Sequence, residues 1–177
     1  PSRADFGAAV DDMRDSVAAF TYDGDRSTQD HLSGAPERRG LVLGDQDPRD
    51  AALAEKVLSE DLAWTGRIFN VDRLRVELPD GRSATRDVVR HPGAVAIVAL
   101  TDEGRICLVR QYRTAIGRVT VEIPAGKLEP GEDPLECAGR ELLEETGMRA
   151  EKIAFLTTIA TSDGFCDELI HLYMATG

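Results

Sequence analysis

The sequence of 177 residues is poor in the residue types that would staple or metallate it by sulfur or imidazole. Cysteine occurs three times, as Cys107, Cys137 and Cys166, an odd number with no paired spacing. That excludes a disulfide framework and a cysteine zinc site, and predicts small buried thiols in a reducing compartment. The three histidines, His31, His91 and His171, are equally scattered, so no histidine metal site is expected. Basic residues are outnumbered by acidic ones, 21 to 32, for a formal net charge of −11. A nucleic-acid surface, which needs a basic patch to displace condensed counterions, is therefore not expected. The longest apolar run, Ala94 to Leu100, is far short of the roughly 20 residues that cross a membrane. The opening Pro1-Ser2-Arg3 lacks the apolar core of a signal peptide, so a cytoplasmic protein without a membrane partner is expected.

What is present suits one globular domain with a small appendage: 42% hydrophobic and 30% charged residues over a chain long enough to bury a core unaided. Phe6, Val10, Met13, Val17 and Phe20 recur at steps of four and three, which predicts a helix over residues 4–20 with one apolar face. Asp11, Asp12 and Asp15 lie away from that face, which favours core packing or a dimer contact over a membrane surface. Residues 21–50, rich in Asp, Gly, Arg and Pro, read as a linker, and Asp50 as the cap of a short helix over 51–58. From Thr65 the period shortens. Ile68, Val71, Leu74, Val76 and Leu78 lead into the turn Pro79-Asp80-Gly81 and a second strand through Val88 and Val89, together a hairpin. Strands are predicted at Ala94–Leu100 and Ile106–Tyr112, joined by Asp102-Glu103-Gly104, and at Val119–Ile123. Asp133-Pro134-Leu135-Glu136 opens a helix with a capping residue, a proline at the first position and a capping box, and Gly147 stops it. Strands near 153–161 and 168–174 follow. The order predicts an α+β domain with a mixed sheet.

On that helix Glu141, Glu144 and Glu145 are three and four residues apart, so their carboxylates share a face. Like charges this close cost a few tenths of a kcal/mol per pair, about what a bound cation would remove. Oxygen-only ligands favour a hard ion, Mg2+ or Mn2+, and Mg2+ commonly shares its shell with substrate phosphates. Arg140 can orient a carboxylate through its planar fork, and Leu135, Ala138 and Leu142 form the apolar face expected to dock on the sheet.

The stretch from Gly126 to Met148 reads GKLEPGEDPLECAGRELLEETGM. Gly126, Glu132, Arg140-Glu141-Leu142, Glu144-Glu145, Gly147 and Met148 match every defining position of the motif of the Nudix hydrolases. Nine such coincidences arise by chance on the order of once in ten million windows at average residue frequencies. The resemblance implies an α/β/α sandwich around a mixed sheet and hydrolysis of a nucleoside diphosphate linked to another moiety. It implies that Glu141 and Glu145 ligate metal directly, that Glu144 ligates or holds metal-bound water, and that Arg140 orients the glutamates. Residues 1–60 are then an extension of helix, linker and short helix, and 61–177 the Nudix domain.

Val109-Arg110-Gln111-Tyr112-Arg113 and Glu122-Ile123-Pro124-Ala125-Gly126-Lys127 further resemble the ADP-ribose pyrophosphatase branch. That resemblance implies an Ala125 carbonyl on a metal, and substrate contacts from Arg113, Lys127, Ser162 and, at the nucleotide end, Arg86 and Asp87, often across a homodimer. Two departures stand out. The branch's Ser-Pro-Gly element is here Ser162-Asp163-Gly164, which admits another nucleoside diphosphate sugar. Branch members also continue past the strand ending near Ala175 into an acidic loop with another glutamate and a last helix; the sequence stops at Gly177, consistent with a shortened chain or with water activation by the motif glutamates alone. Rival readings are a Nudix enzyme for dinucleoside polyphosphates, coenzyme A or damaged nucleotides, and a nucleotide-sugar sensor that binds without cleaving.

Overall fold

A computed structural model describes residues 49–177. The helix expected over 4–20 and nearly all of the 21–50 linker lie outside the described residues. Those described fall into two compact units, one of residues 93–159 and 169–177, the other of residues 49–92 and 160–168.

The first unit holds a mixed four-stranded sheet of β4 (Ala94–Leu100), β7 (Ala125–Lys127), β8 (Lys152–Ala160) and β9 (Leu169–Thr176). The strand order is β7-β4-β9-β8. β4 runs antiparallel to β7 and parallel to β9. A strand with neighbours on both edges and cover on its faces can be apolar throughout, and β4 is: Val95 and Ile97 have no exposure at all. Helix α1 (Pro134–Thr146) supplies that cover, and Cys137, Ala138 and Leu142 join Val95, Ile97, Ala99, Tyr173 and Ala175 in one core cluster. Burying a side chain the size of Leu142 contributes about 2 kcal/mol. Leu135, expected on this face, stays exposed, and Cys137 joins Ala138 and Leu142 as the buried residues of the helix. The strand expected at Ile106–Tyr112 begins later. Cys107 N–H donates to the Ala99 carbonyl at 2.9 Å, and the chain then leaves β4 as β5 (Val109–Arg113) to pair with β6 (Arg118–Glu122).

The second unit is a three-stranded antiparallel meander, β1 (Lys56–Thr65), β2 (Asn70–Glu77) and β3 (Ser83–Arg90). The short helix expected over 51–58 is replaced by a single 3-10 turn at Asp50–Ala52 and the start of β1. Lys56 and Val57 pair with Glu77 and Val76, and ladder bonds to β2 outweigh the weak helix preference of AALAEKVL. The Pro79-Asp80-Gly81 turn forms as expected, with Gly81 at φ 81° and its N–H on the Leu78 carbonyl at 2.8 Å. The buried face of β2 is Asp72, Leu74 and Val76, so a carboxylate sits where the apolar pattern offers nothing. Arg90 on β3 makes that tolerable: its Nε donates to Asp72 at 2.9 Å, and its fork also reaches Glu60 and Asp167. Among the described residues no helix is long and apolar enough to cross a membrane.

Candidate active site

Local chemistry explains why α1 forms where it does. The Asp133 carboxylate accepts from the Leu135 and Glu136 amides at 2.8 and 3.3 Å, Pro134 occupies the first helical position, and Gly147 closes the helix at φ 72°. The 13-residue helix therefore presents Arg140, Glu141, Glu144 and Glu145 in fixed angular order.

Arg140 ties most of this face together. Its Nε and Nη2 bind Glu132 through both oxygens at 2.7 and 2.8 Å, and its Nη1 reaches Glu141 at 2.7 Å and Glu144 at 3.1 Å. Paired so closely, the guanidinium is raised above its already high range, chiefly by Glu132. The same pairing, helped by the Glu129 amide, holds the Glu132 carboxyl down to about 2. Burial pushes the neighbouring Cys137 thiol up to about 12, so it stays neutral and unreactive.

Strand β7 meets the helix along its whole length. The Ala125 amide donates to Glu145 Oε2 at 3.1 Å, and Gly126 lies so close to Glu141 that a Cβ there would sit 1.9 Å from its carboxyl carbon. The β5–β6 hairpin adds Gln111, whose Nε2 donates to Glu145 Oε1 at 2.7 Å. Arg113 on the same strand is paired with Glu122, whose carboxyl is held down to about 2 by Arg113 and by the Thr120 hydroxyl.

Ala125, Lys127, Arg140, Glu141, Glu144 and Glu145 are thus brought together, Lys127 through its carbonyl 3.4 Å from Arg140 Nη2, with Arg113 on the neighbouring hairpin. Arg86, Asp87 and Ser162 belong to the second unit. There Arg86 is bonded to Glu55, Asp87 to Arg73 at 2.7 Å, and Ser162 lends its carbonyl to a turn closed by the Phe165 and Cys166 amides. Three participants had no role assigned from the sequence: Glu132, Gln111 and Glu122. All three stood within the motif or the two similar stretches, but nothing local indicates which distant side chain each one meets.

The cluster is built to receive positive charge. One guanidinium serves Glu132, Glu141 and Glu144, and Glu145 is met by neutral donors, which leaves an excess of three negative charges. Glu141 Oε2 and Glu144 Oε1 carry no hydrogen bond among the described residues, and no buried polar side-chain atom there lacks a partner, so the Glu141 oxygen touches solvent. Arg140 stands between Glu141 and Glu144, and Glu145 turns to the hairpin. Among the described residues no three carboxylate, imidazole or thiol groups are arranged to hold a metal ion by themselves. A hard divalent ion, which uses one or two carboxylates and completes its shell with water and phosphate, still fits this donor set.

Comparison with known proteins bears on the whole arrangement. The NUDIX domain family matches residues 90–176, which include β4 to β9 and α1. A methanol dehydrogenase activator from Bacillus methanolicus is 50% identical over 123 residues, 70% of this chain and 66% of that protein. An ADP-ribose pyrophosphatase from Bacillus subtilis is 47% identical over 124 residues, 70% of this chain and 67% of that protein. The chain thus spans about two thirds of the length of these curated relatives. The crystal structure of an ADP compounds hydrolase superposes with a TM-score of 0.62 at 24% identity, covering 70% of this chain and 68% of the other, and shares the fold. Identity of 47% over two thirds of a curated relative exceeds what a common fold alone produces, and the chain belongs to the Nudix family.

Proposed function

We propose that the protein is a divalent-metal-dependent pyrophosphohydrolase that splits the diphosphate of ADP-ribose or a related nucleoside diphosphate sugar into a nucleoside monophosphate and a sugar phosphate. The observation that carries this reading is the solvent-facing excess of negative charge on α1, organised by one arginine and two neutral donors. Glu141 and Glu145 are assigned as direct ligands of Mg2+ or Mn2+, Glu144 as a ligand or the holder of metal-bound water, and the Ala125 carbonyl as a further ligand. The ion supplies two things when bound: a lowered pKa for the attacking water and neutralisation of the diphosphate charge.

The remaining steps fall to the chain's own residues. Arg140 keeps Glu141 and Glu144 aimed, since losing its fork would let both rotate freely. Arg113, with 47% of its side chain exposed, can share its guanidinium between Glu122 and a substrate phosphate. Lys127 and Ser162 are assigned to the substrate as well, and Arg86 and Asp87 to its nucleotide end, on the resemblance alone. The relatives carry different names at nearly equal identity, 50% and 47%, so a substrate panel is needed. The deciding experiment is release of AMP from ADP-ribose with Mg2+ or Mn2+, run beside dinucleoside polyphosphates and coenzyme A. Turnover of ADP-ribose is expected; binding without cleavage under both ions would overturn the reading in favour of a sensor.

The reading includes a cytoplasmic homodimer. Its support is β1, an edge strand exposed along its whole length that carries Val57, Leu58, Leu62 and Trp64. Such an apolar edge invites a partner. Sedimentation equilibrium at micromolar concentration should return twice the 19.2 kDa chain mass, and a monomer would refute it.

A further inference from the structure

Glu145 stands one residue before the end of α1, whose last turn contains no basic residue. A carboxylate there faces the negative pole of the helix dipole, with Glu144 beside it adding like charge. The helix by itself gives this side chain no reason to hold one orientation.

Its donors come from two other elements. Gln111 Nε2 binds Oε1 at 2.7 Å from β5, and the Ala125 amide binds Oε2 at 3.1 Å from β7. One donor on each oxygen sets both the position and the plane of the carboxylate. The Gln111 backbone is itself held by its pairing with Thr120 in the β5–β6 ladder. Both donors to Glu145 are neutral, whereas Glu132, Glu141 and Glu144 all answer to the charged Arg140. A neutral partner orients a carboxylate and leaves its charge available to a cation; a cationic partner would compete for it.

We propose that Gln111, which lies outside the 126–148 motif, is a positioning residue that aims Glu145 for metal binding without cancelling its charge. This rests on the metal reading of α1 above. The alternative is a plain brace between hairpin and helix, and charge separates the two. A lysine at 111 would satisfy a brace, because its ammonium can bond Glu145, but it would displace the ion.

The test titrates Mn2+ into the substrate-free protein by electron paramagnetic resonance, with thermal unfolding and ADP-ribose kinetics alongside, for Gln111→Leu, Gln111→Lys and Glu145→Gln. Partners that hold a metal-binding side chain are typically worth about 10- to 100-fold in metal affinity or activity. Gln111→Leu should weaken Mn2+ binding and lower kcat by about that factor, while KM moves by less than about threefold. Gln111→Lys should keep or raise the unfolding temperature and still lose at least about tenfold in Mn2+ affinity. If Glu145→Gln loses Mn2+ but both Gln111 variants bind it within about threefold of the wild type, the metal reading stands and the Gln111 proposal is overturned. If the unaltered protein binds no Mn2+, the metal reading falls and takes this proposal with it. Should Gln111→Leu fail to fold, Gln111→Lys alone decides.

Discussion

A methyl group at position 126 would occupy space now filled by the Glu141 carboxylate. The Cβ of Gly126→Ala would lie 1.9 Å from the Glu141 carboxyl carbon and 2.1 and 2.2 Å from its oxygens. Ordinary contact begins near 3.4 Å, so the carboxylate has to retreat by about 1.5 Å. That exceeds the slack in its 2.7 Å bond to Arg140. Gly126 is not among the glycines with positive φ, so alanine meets no backbone strain in β7. The stability cost is then a charged hydrogen bond of about 1.5–3 kcal/mol, offset by about 0.4–1 kcal/mol of reduced unfolded-state entropy. Net destabilisation of about 0.5–2.6 kcal/mol lowers Tm by roughly 1–10 °C for a chain of this size. Catalysis should suffer far more, since displacing a catalytic group by about 1 Å can cost on the order of a hundredfold. The assay is Mg2+-dependent AMP release from ADP-ribose beside a thermal melt of the same preparation. A kcat within about threefold of the wild type would show that the position of Glu141 is not what the reaction depends on. Unfolding at room temperature would show that the clash falls on the backbone.

Glu145→Gln keeps the side chain's shape and removes its charge, so turnover should fall at least about a hundredfold with little change in the melt; near-normal turnover at saturating Mg2+ would remove Glu145 from the metal site. Arg113→Ala should raise KM and spare kcat, because gripping a phosphate serves ground and transition states alike. An unchanged KM with a collapsed kcat would give Arg113 a different role. Glu122 and Glu132 are held down to about 2 from a usual 4.5, chiefly by Arg113 and Arg140 respectively. Their folded values lie below their unfolded ones, so both pairs add stability above pH 4.5 and lose it as pH falls toward 2. Urea midpoints should drop across that window, and Glu132→Gln should flatten the drop; an unchanged slope would count against the Glu132–Arg140 clasp.

Much of α1 could be read locally because its signals are local. Asp133, Pro134 and Gly147 act within a turn of where they stand, and the spacing of Glu141, Glu144 and Glu145 follows from 3.6 residues per turn. The apolar run of β4 was equally plain, since a strand buried on both faces carries its own signature. β1 was not, because residues 51–58 prefer helix weakly and the β2 ladder that overrides them starts at Glu77. Asp72 was missed for a related reason: Arg90, whose guanidinium accompanies its burial, stands 18 positions later.

The family motif, the helix that carries it and the surplus of negative charge on that helix are all legible along the chain. What each carboxylate faces is not. Glu145 is met by Gln111 from 34 positions away and by Ala125 from 20, and Glu141 is confined by the missing Cβ of Gly126. Helix caps and periodicity are set by neighbours along the chain, whereas the aim of a side chain depends on donors that only folding brings within 3 Å or so.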